Sequence, residues 1–515
     1  MTFDPGMPLV IELALFALAV VVLLAGIAGR PYVMLGPRSG PAETESYVGR
    51  VPPSEATSGP AESYVGRVPR SGPADTAIGW LTLAGLVGIF FLTFLATEGA
   101  SILRGSFVQD GFAIFAKRLF IASAALSVLG SLTLRHSAFT LRAAEYHFAL
   151  VVSLLGMSIL ASAREFVLLF VAFELMSIPL FLMTGFLKRD AVASEAALKF
   201  FLVGTASSAL IAYGMSFVYG VTGSTTLDAI PAAMIDGHPL MRLGMALLLA
   251  GLGFKIAAFP FHMWAPDTYE AASTPFVAWL SVAPKAAGFV AIIRLFVEGV
   301  GSAALIWLPA ISVLAGMTIV MGNLMAIPQR NIKRMLAYSG IAHIGYMLVG
   351  LAALSSSGVA MMLFYLVAYM FGNMGAFLVV EAVARSEQSD GIEAYRGLAQ
   401  RSPLLALAML IFLLSLGGIP FVAGFWAKLY VFWAAIERGL YGLVFLGAVL
   451  TVVALYYYLV VARRMYIEAP VRRDPVPVPG LLRAAILVCL LGVVGMGVYP
   501  SPWVAMALRI ASTLF

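Results

Sequence analysis

Long apolar stretches alternate with short polar segments along the whole of this 515-residue chain. An apolar run of about 18 residues or more is typical of a membrane-crossing helix, because about 20 helical residues span the hydrocarbon core of a bilayer. We predict spans near residues 8–29, 77–97, 112–134, 144–162, 164–187, 191–221, 239–264, 275–298, 303–327, 332–353, 357–384, 402–436, 441–466 and 481–508. The pattern therefore predicts an all-α polytopic membrane protein with about 14 transmembrane helices.

The composition favours the same class of protein. The chain is 61% hydrophobic and only 11% charged, whereas a soluble protein carries about 25% charged residues. No basic segment precedes the first apolar run, so we expect a retained helix rather than a cleaved signal peptide. The net charge of +6 is spread over the connecting segments, and it does not indicate nucleic-acid binding.

The basic residues predict how the chain is oriented. If the N-terminus lies outside, 20 of the 32 lysines and arginines fall in inner segments and 8 on the outer side, while four lie inside spans. Membrane proteins concentrate lysine and arginine in their cytoplasmic loops. We therefore expect a multi-pass protein of the bacterial cytoplasmic membrane with both termini outside.

The segment 30–76 contains an internal repeat. SGPAETESYVGRVP at 39–52 recurs as SGPAESYVGRVP at 58–69, and a third partial copy, RSGPADT, occupies 70–76. Its richness in Pro, Gly, Ser and charge predicts a flexible inner loop. Two interpretations stay open: a docking loop for a partner, or a tandem duplication that a solvated loop tolerates at little cost in free energy.

Lysines inside the spans are the main candidates for chemistry. Four of the seven lysines, Lys199, Lys255, Lys285 and Lys428, fall there, together with Glu174. A charge near the bilayer centre costs about 2.5–3.5 kcal/mol. Burial can lower the pKa of a lysine, whereas arginine stays charged. The series predicts a proton relay, although a single lysine such as Lys199 could also serve only to hold two helices together.

Gly and Pro residues interrupt two of these spans close to a lysine. Pro260 follows Lys255, and a second group of helix breakers precedes Lys428, namely Gly417, Gly418 and Pro420. Broken helices at mid-membrane depth line polar cavities, and paired breaks point to an internal repeat. We predict two inverted five-helix repeats at 144–298 and 303–466, flanked by a first helix within 1–29, the loop 30–76, two helices within 77–143 and a last helix within 481–515.

Other polar residues give weaker signals. His343 and His262 are secondary relay candidates beside Lys199, since imidazole titrates near neutrality, but a histidine in a span is also often only hydrogen-bonded between helices. Asp267 and Glu270 are expected in an inner loop or helix cap. The chain has one cysteine, Cys489, and no iron–sulfur, GxGxxG or Walker motif, so we predict no metal and no cofactor on this chain.

Three long motifs carry a family resemblance: FPFHMWAPDTYEAASTPFVAWLSVAPKAAGF, NLMAIPQRNIKRMLAYSGIAHIGYMLVG and SLGGIPFVAGFWAKLYVF. They resemble the antiporter-like membrane subunits of respiratory complex I, NADH:quinone oxidoreductase, and most closely its subunit N (chain 2) branch, over nearly all of 77–508. The resemblance implies one proton channel built from two inverted repeats. It also implies that Glu174, Lys255, Lys285 and Lys428 carry protons in coupling to quinone reduction elsewhere, with Lys199 matching a further lysine of the branch.

The same resemblance implies partners and cofactors. Other membrane and peripheral subunits would surround the chain in the lipid bilayer, and quinone, FMN and iron–sulfur clusters would lie on those other chains. Lysine at position 428 argues against the subunit M branch, and we expect no long lateral helix of the subunit L type. A subunit of a multi-chain cation/proton antiporter or of a membrane-bound hydrogenase is the alternative. A stand-alone organic-solute carrier is less favoured, because the intramembrane charges form a lysine series.

Overall fold

The computed structural model describes residues 8–28, 73–132, 134, 142–188, 190–233 and 238–515. In this part of the chain, 12 helices are long and apolar enough to cross a membrane. Most of the repeat-containing loop, and several basic residues used to predict the orientation, lie outside the described residues. The fold prediction of a helical membrane protein is confirmed.

The helices follow one another with short connections. The first eight are α1 Val10–Ala28, α2 Pro73–Leu92, α3 Gly111–Ser131, α4 Ala143–Ser162, α5 Phe166–Thr184, α6 Ala191–Thr222, α7 Pro239–Ile256 and α8 Trp264–Ala271. They are followed by α9 Thr274–Leu280, α10 Ala283–Ile292 with a π-helical continuation Ile293–Gly299, α11 Ala304–Ala326, α12 Ile332–Ala352, α13 Ser356–Glu387, α14 Pro403–Gly417, α15 Ala423–Glu437, α16 Tyr441–Tyr466, α17 Gly480–Val498 and α18 Ser501–Ala511. Single turns at Ile230–Ala233 and Leu398–Arg401 are left unnumbered.

Two predicted spans are not among the 12 long helices. One is α2, whose apolar part is shorter. The other is the pair α14 and α15. These two helices lie within one run of 35 apolar residues, which was predicted to be a single span with a break. With these two, the helices account for the fourteen predicted spans.

The structure differs from the sequence prediction at two places. A two-stranded antiparallel hairpin, β1 Ala100–Ile102 and β2 Phe107–Gln109, lies between α2 and α3 where no strand was predicted. The last predicted span, 481–508, is a helix that ends at Val498 and a separate α18, because Pro500 and Pro502 interrupt the run.

Capping side chains fix where several spans begin. Asp110 accepts a hydrogen bond from the Ala113 N–H at the start of α3, and Asp190 does the same for the first turn of α6. Asn331 caps α12 and Ser355 caps α13. Each of these side chains satisfies a backbone N–H that a helix leaves free at its first turn.

Three helix breaks lie within predicted spans. α7 ends at Ile256, and the chain turns before α8 begins at Trp264. α14 ends at Gly417, and α15 begins at Ala423. The third break, at 281–282 between α9 and α10, was not predicted. The two predicted breaks lie five spans apart, as the inverted repeats require.

Candidate functional site

Lys255 and Glu174 interact through their charges, and each of the two side chains is hydrogen-bonded to a different serine. Lys255, in the last turn of α7, is buried, and its Nζ donates to the Ser177 Oγ of α5 at 2.8 Å. Glu174, one turn earlier on α5, accepts a hydrogen bond from Ser208 of α6 at 2.5 Å. Both residues lie in the described part of the chain, and no ion pair of 4.0 Å or less joins them.

The first break holds Lys255 beside a small cavity. Trp264 donates its indole N–H to the Phe254 carbonyl at 3.0 Å, and the Phe259 N–H donates to Thr318 Oγ1 of α11 at 3.1 Å. These bonds replace partners that the interrupted helix lacks. The cavity has a volume of about 20 Å³, enough for one water molecule. It is lined by Ser177 and Lys255 on one side and by Leu280 and Pro284 at the third break on the other.

Lys285 lies just beyond the third break and is only 1% exposed. Within the described chain, its Nζ has no hydrogen-bond partner. The ring of Tyr269 lies beneath it, 5.2 Å from the ring centre. A methyl group at Gly340 of α12 would lie 3.3 Å from this Nζ, so the missing side chain at Gly340 makes room for the amine. An amine with no carboxylate beside it has no group that favours its charged form.

Lys428 binds the end of a broken helix. It is buried on α15, and its Nζ donates to the carbonyls of Leu416 and Gly417 at 2.9 and 3.3 Å. These carbonyls close α14, where a cation is favoured by the helix dipole. Gly418, with φ 82°, makes the turn in a conformation that glycine adopts readily. The ring centre of Tyr346 lies 4.8 Å from the Lys428 Nζ.

His343 lies between Lys285 and Lys428, and the charges of both act on its ring. Its Nδ1 is 2.8 Å from the hydroxyl of Tyr365, and its Nε2 is 3.4 Å from that of Tyr458. The rings of Tyr346 and Tyr369 pack against it. The structure therefore places His343 and four tyrosines between the two lysines, and the tyrosines were not predicted as site residues.

The structure places the other two secondary candidates elsewhere. Lys199 was expected at depth, but its side chain is 51% exposed, and its Nζ pairs with Glu195 of the same helix at 2.7 Å and with Asp267 at 3.4 Å. Its position in the span was right, but its side chain faces away from the core. His262, beside Pro260 in the turn between α7 and α8, is buried against Phe259, and no described contact joins it to the lysines.

The acidic residues expected in an inner loop or cap are instead helical. Asp267 and Glu270 belong to α8, and Arg334 of α12 pairs with them at 2.7 and 3.0 Å. The turn after α7 is short enough for a new helix to begin at Trp264. These pairs tie α8 to the start of α12, so they hold the first break in place.

Sequence reasoning missed a second set of buried charges. Lys117 was counted with the outer connecting segments, but it is fully buried in α3 and pairs with Glu12 of α1 at 2.7 Å. Arg294, in the π-helical segment, is also fully buried and pairs with Asp110 and Glu298 at 2.8 and 2.7 Å. An acidic residue near the start of the first span, Glu12, was the signal that could have indicated such a pair.

No group of three His, Cys, Asp or Glu side chains in the described part of the chain could hold a metal ion. The geometry instead offers titratable groups and hydroxyls in sequence across the interior. Such an arrangement can pass protons.

Residues 163–454 match the family described as NADH:quinone oxidoreductase/Mrp antiporter, transmembrane. The chain is 42% identical over 442 residues to NADH-quinone oxidoreductase subunit N of Heliobacterium modesticaldum, covering 85% of this chain and 93% of that protein. It is 41% identical over 402 residues to NAD(P)H-quinone oxidoreductase subunit 2 of Gloeothece citriformis, covering 77% of this chain and 78% of that protein.

Two solved structures share the fold. A chain of respiratory complex I from Thermus thermophilus with bound aureothin superimposes with a TM-score of 0.75 at 30% identity, over 96% of this chain and 98% of that chain. A chain of the Mrp complex from Dietzia superimposes with a TM-score of 0.77 at 19% identity, over 100% of this chain and 98% of that chain. At that identity, the second likeness concerns the fold alone.

Proposed function

We propose a function from the premise that this chain belongs to the NADH:quinone oxidoreductase/Mrp antiporter membrane-subunit family. The chain translocates protons as the subunit N component of an NADH:quinone oxidoreductase. It would act as one subunit of that enzyme, with no redox centre of its own. The match to subunit N proteins over most of both chains supports this assignment.

One observation carries the proposal at the level of residues. Lys255, Lys285 and Lys428 are buried beside the three helix breaks, and none of them has a carboxylate within 4.0 Å in the described chain. Lys255 binds a serine and Lys428 binds two carbonyls, whereas the Lys285 Nζ has no hydrogen-bond partner among the described residues. Buried ionisable residues within a membrane mark proton or ion pathways. Three of them in this state favour proton transfer over a structural role.

The contacts suggest an order of transfer. Glu174 acts on Lys255 through its charge, and a cavity lined by both Lys255 and Pro284 lies between Lys255 and the start of α10. Lys285 is followed by His343 with its tyrosines, and Lys428 lies beyond them. We propose that protons move from Glu174 and Lys255 through Lys285 and leave at Lys428.

The orientation and surroundings belong to the same proposal. The excess of basic residues in inner segments supports a bacterial cytoplasmic membrane location with both termini outside, so that α15 carries Lys428 toward the outer side. Other membrane and peripheral subunits would adjoin the chain and carry the FMN, iron–sulfur clusters and quinone site. The two inverted repeats at 144–298 and 303–466 would form the two halves of the channel.

A subunit of a cation/proton antiporter or membrane-bound hydrogenase is the second candidate, since the Mrp fold is the same. Purification from the native membrane separates the two. We expect this chain to co-migrate with iron–sulfur subunits and with NADH:quinone activity. Co-migration with antiporter subunits alone would favour the second candidate.

The relay is tested in sealed inside-out vesicles that contain the assembled complex. We expect Glu174→Ala and Lys255→Ala to assemble normally and to lower NADH-driven proton uptake by about tenfold or more, because each removes a group that takes up and releases the proton. Lys188→Ala is the matched control, because Lys188 is an exposed lysine outside the helices. Uptake at the wild-type rate in either test variant would show that the relay assignment is wrong.

A further inference from the structure

A polar face on α13 runs from the inner end of the fold to Lys285. Tyr365, Tyr369, Asn373 and Glu381 lie four or eight residues apart, so they share one side of the helix. All four are nearly or fully buried, the most exposed being Glu381 at 5%. A buried row of hydroxyl, amide and carboxyl groups is unusual in a helix of this hydropathy, and packing alone does not require it.

The outer part of this face meets the relay. The hydroxyl of Tyr369 and the Nζ of Lys285 converge above Gly340, since a methyl group there would lie 2.7 and 3.3 Å from them. Asn373 donates to Ser281 Oγ at 2.6 Å, at the third helix break. Tyr365 contacts His343. The face of α13 therefore lies directly against the groups proposed to carry protons.

Unsatisfied polar atoms concentrate along the same line. In the described part of the chain, four buried atoms here have no hydrogen-bond partner: Lys285 Nζ, Tyr369 Oη, Asn373 Oδ1 and Tyr269 Oη. The Tyr269 ring lies 5.9 Å from that of Phe377, the one apolar residue in the row, so Tyr269 packs against this face of α13. Buried polar atoms normally have partners, and bridging water supplies them where protein does not. Such a density of atoms marks a path that water can fill.

Glu381 lies at the inner end of this path. The side chain of Thr274, at the start of α9, is within hydrogen-bonding reach of its carboxylate, and Arg385, Lys333 and Asp390 act on its charge. The charge of Glu381 also acts on Tyr146 of α4. Lys333 itself is engaged by Asp390 at 3.0 Å, and the Asp390 side chain is 26% exposed, so the inner surface lies next to this cluster.

We propose that Glu381 is a proton entrance that loads Lys285 directly from the inner side, along α13 and independently of Lys255. A proton from inner water binds the Glu381 carboxylate, passes through water beside Tyr269 and Asn373, and ends on the neutral amine of Lys285. The proposal rests on the proposed function, because it supplies a second source of protons to the same lysine.

The test compares Glu381→Gln with Glu381→Asp in assembled complex in inside-out vesicles. Glutamine keeps the shape of the side chain but carries no exchangeable acid proton. We expect Glu381→Gln to lower the initial rate of NADH-driven proton uptake by about tenfold and to change its pH profile, and Glu381→Asp to restore most of the rate. An unchanged rate and pH profile in Glu381→Gln would overturn the proposal that Glu381 is a proton entrance.

Lys285→Gln separates this proposal from the function on which it rests. If Lys285→Gln abolishes uptake while Glu381→Gln does not, only the entrance fails; if both take up protons normally, the proposed relay fails as well. Should Glu381→Gln not assemble, Tyr269→Phe decides, since it removes only a hydroxyl without a described partner. We expect slower uptake in Tyr269→Phe than in Ser162→Ala, which removes a buried hydroxyl without a described partner at the end of α4; equal rates would overturn the proposal that Glu381 is a proton entrance.

Discussion

Two groups of fully buried cations lie in this fold, and they differ in their partners. Near the N-terminal ends of α1 and α3, Lys117 is bound by Glu12 and Gln109, and Ser158 donates to the same Glu12 oxygen at 2.7 Å. In the second group, the lysines beside the three helix breaks, Lys285 has no described hydrogen-bond partner. Burial alone therefore does not distinguish a proton carrier from a structural charge, because the partners of the amine decide whether it holds its proton.

The arginine cluster beside Lys117 belongs to the structural group. Arg294 donates to both oxygens of Asp110 and to the Ala161 carbonyl, all at 2.8 Å. Burial by itself would raise the pKa of Asp110, but the charge and hydrogen bonds of Arg294, with the Ala113 N–H and Arg164, hold that pKa below its usual range. Asp110 thus stays ionised, and it fixes the β-hairpin end of α3 to the π-helical segment.

The largest expected effect is on the amount of assembled complex, and it differs between the two groups of buried cations. Lys117→Met leaves Glu12 as an uncompensated buried charge, which costs about 3–5 kcal/mol, so we expect little assembled complex on native gels. Lys285→Met removes no described hydrogen bond, so we expect normal assembly without proton uptake.

The double variant Glu12→Gln/Lys117→Met is the matched control, because it removes both charges at once. We expect it to recover much of the assembly that Lys117→Met loses. Wild-type amounts of assembled Lys117→Met would contradict the view that this pair is structural.

The next effect tests whether Lys428 is a proton carrier or a fixed charge at a helix end. Arginine can still bind the Leu416 and Gly417 carbonyls but does not release its proton. We expect Lys428→Arg to assemble and to lose proton uptake by about tenfold or more.

Glutamate at position 428 should give an intermediate result. A protonated carboxyl group can donate to the same carbonyls, whereas a carboxylate is disfavoured at the end of a helix. We expect Lys428→Glu to retain more uptake than Lys428→Arg, measured in the same vesicles. If arginine supports full uptake and glutamate none, position 428 supplies only a fixed positive charge.

The sequence predicted the spans and two of the three breaks because Pro and Gly interrupt long apolar runs at Pro260 and at Gly417 and Gly418. It did not predict the break at 281–282, because the apolar run continues through it and Pro284 also suits the first turn of an ordinary helix. Chain position gives depth in the membrane but not the side of the helix that faces the core.

The partners of the lysines could not be predicted for the same reason. Serines such as Ser177 and Ser208 are common in apolar helices, and only the packing of α5, α6 and α7 shows which of them meet Glu174 and Lys255. Lys117 was misassigned because it lies only six residues inside α3. The lysines themselves were identified, since a charge within an apolar run is costly and stands out in the sequence.

The smallest expected effect concerns Lys199, whose depth resembles that of the other lysines but whose partners do not. Its amine is half-exposed and is held by Glu195 and Asp267. Exposed ion pairs of this kind contribute little to stability, and no described contact links Lys199 to Lys255. We expect Lys199→Gln to assemble and to take up protons within about twofold of the wild-type rate, while Lys255→Gln, the same change at a buried site, loses most of its uptake. Equal losses in the two variants would place Lys199 in the relay. The exposed fraction of a lysine side chain would then no longer distinguish the lysines that carry protons from those that do not.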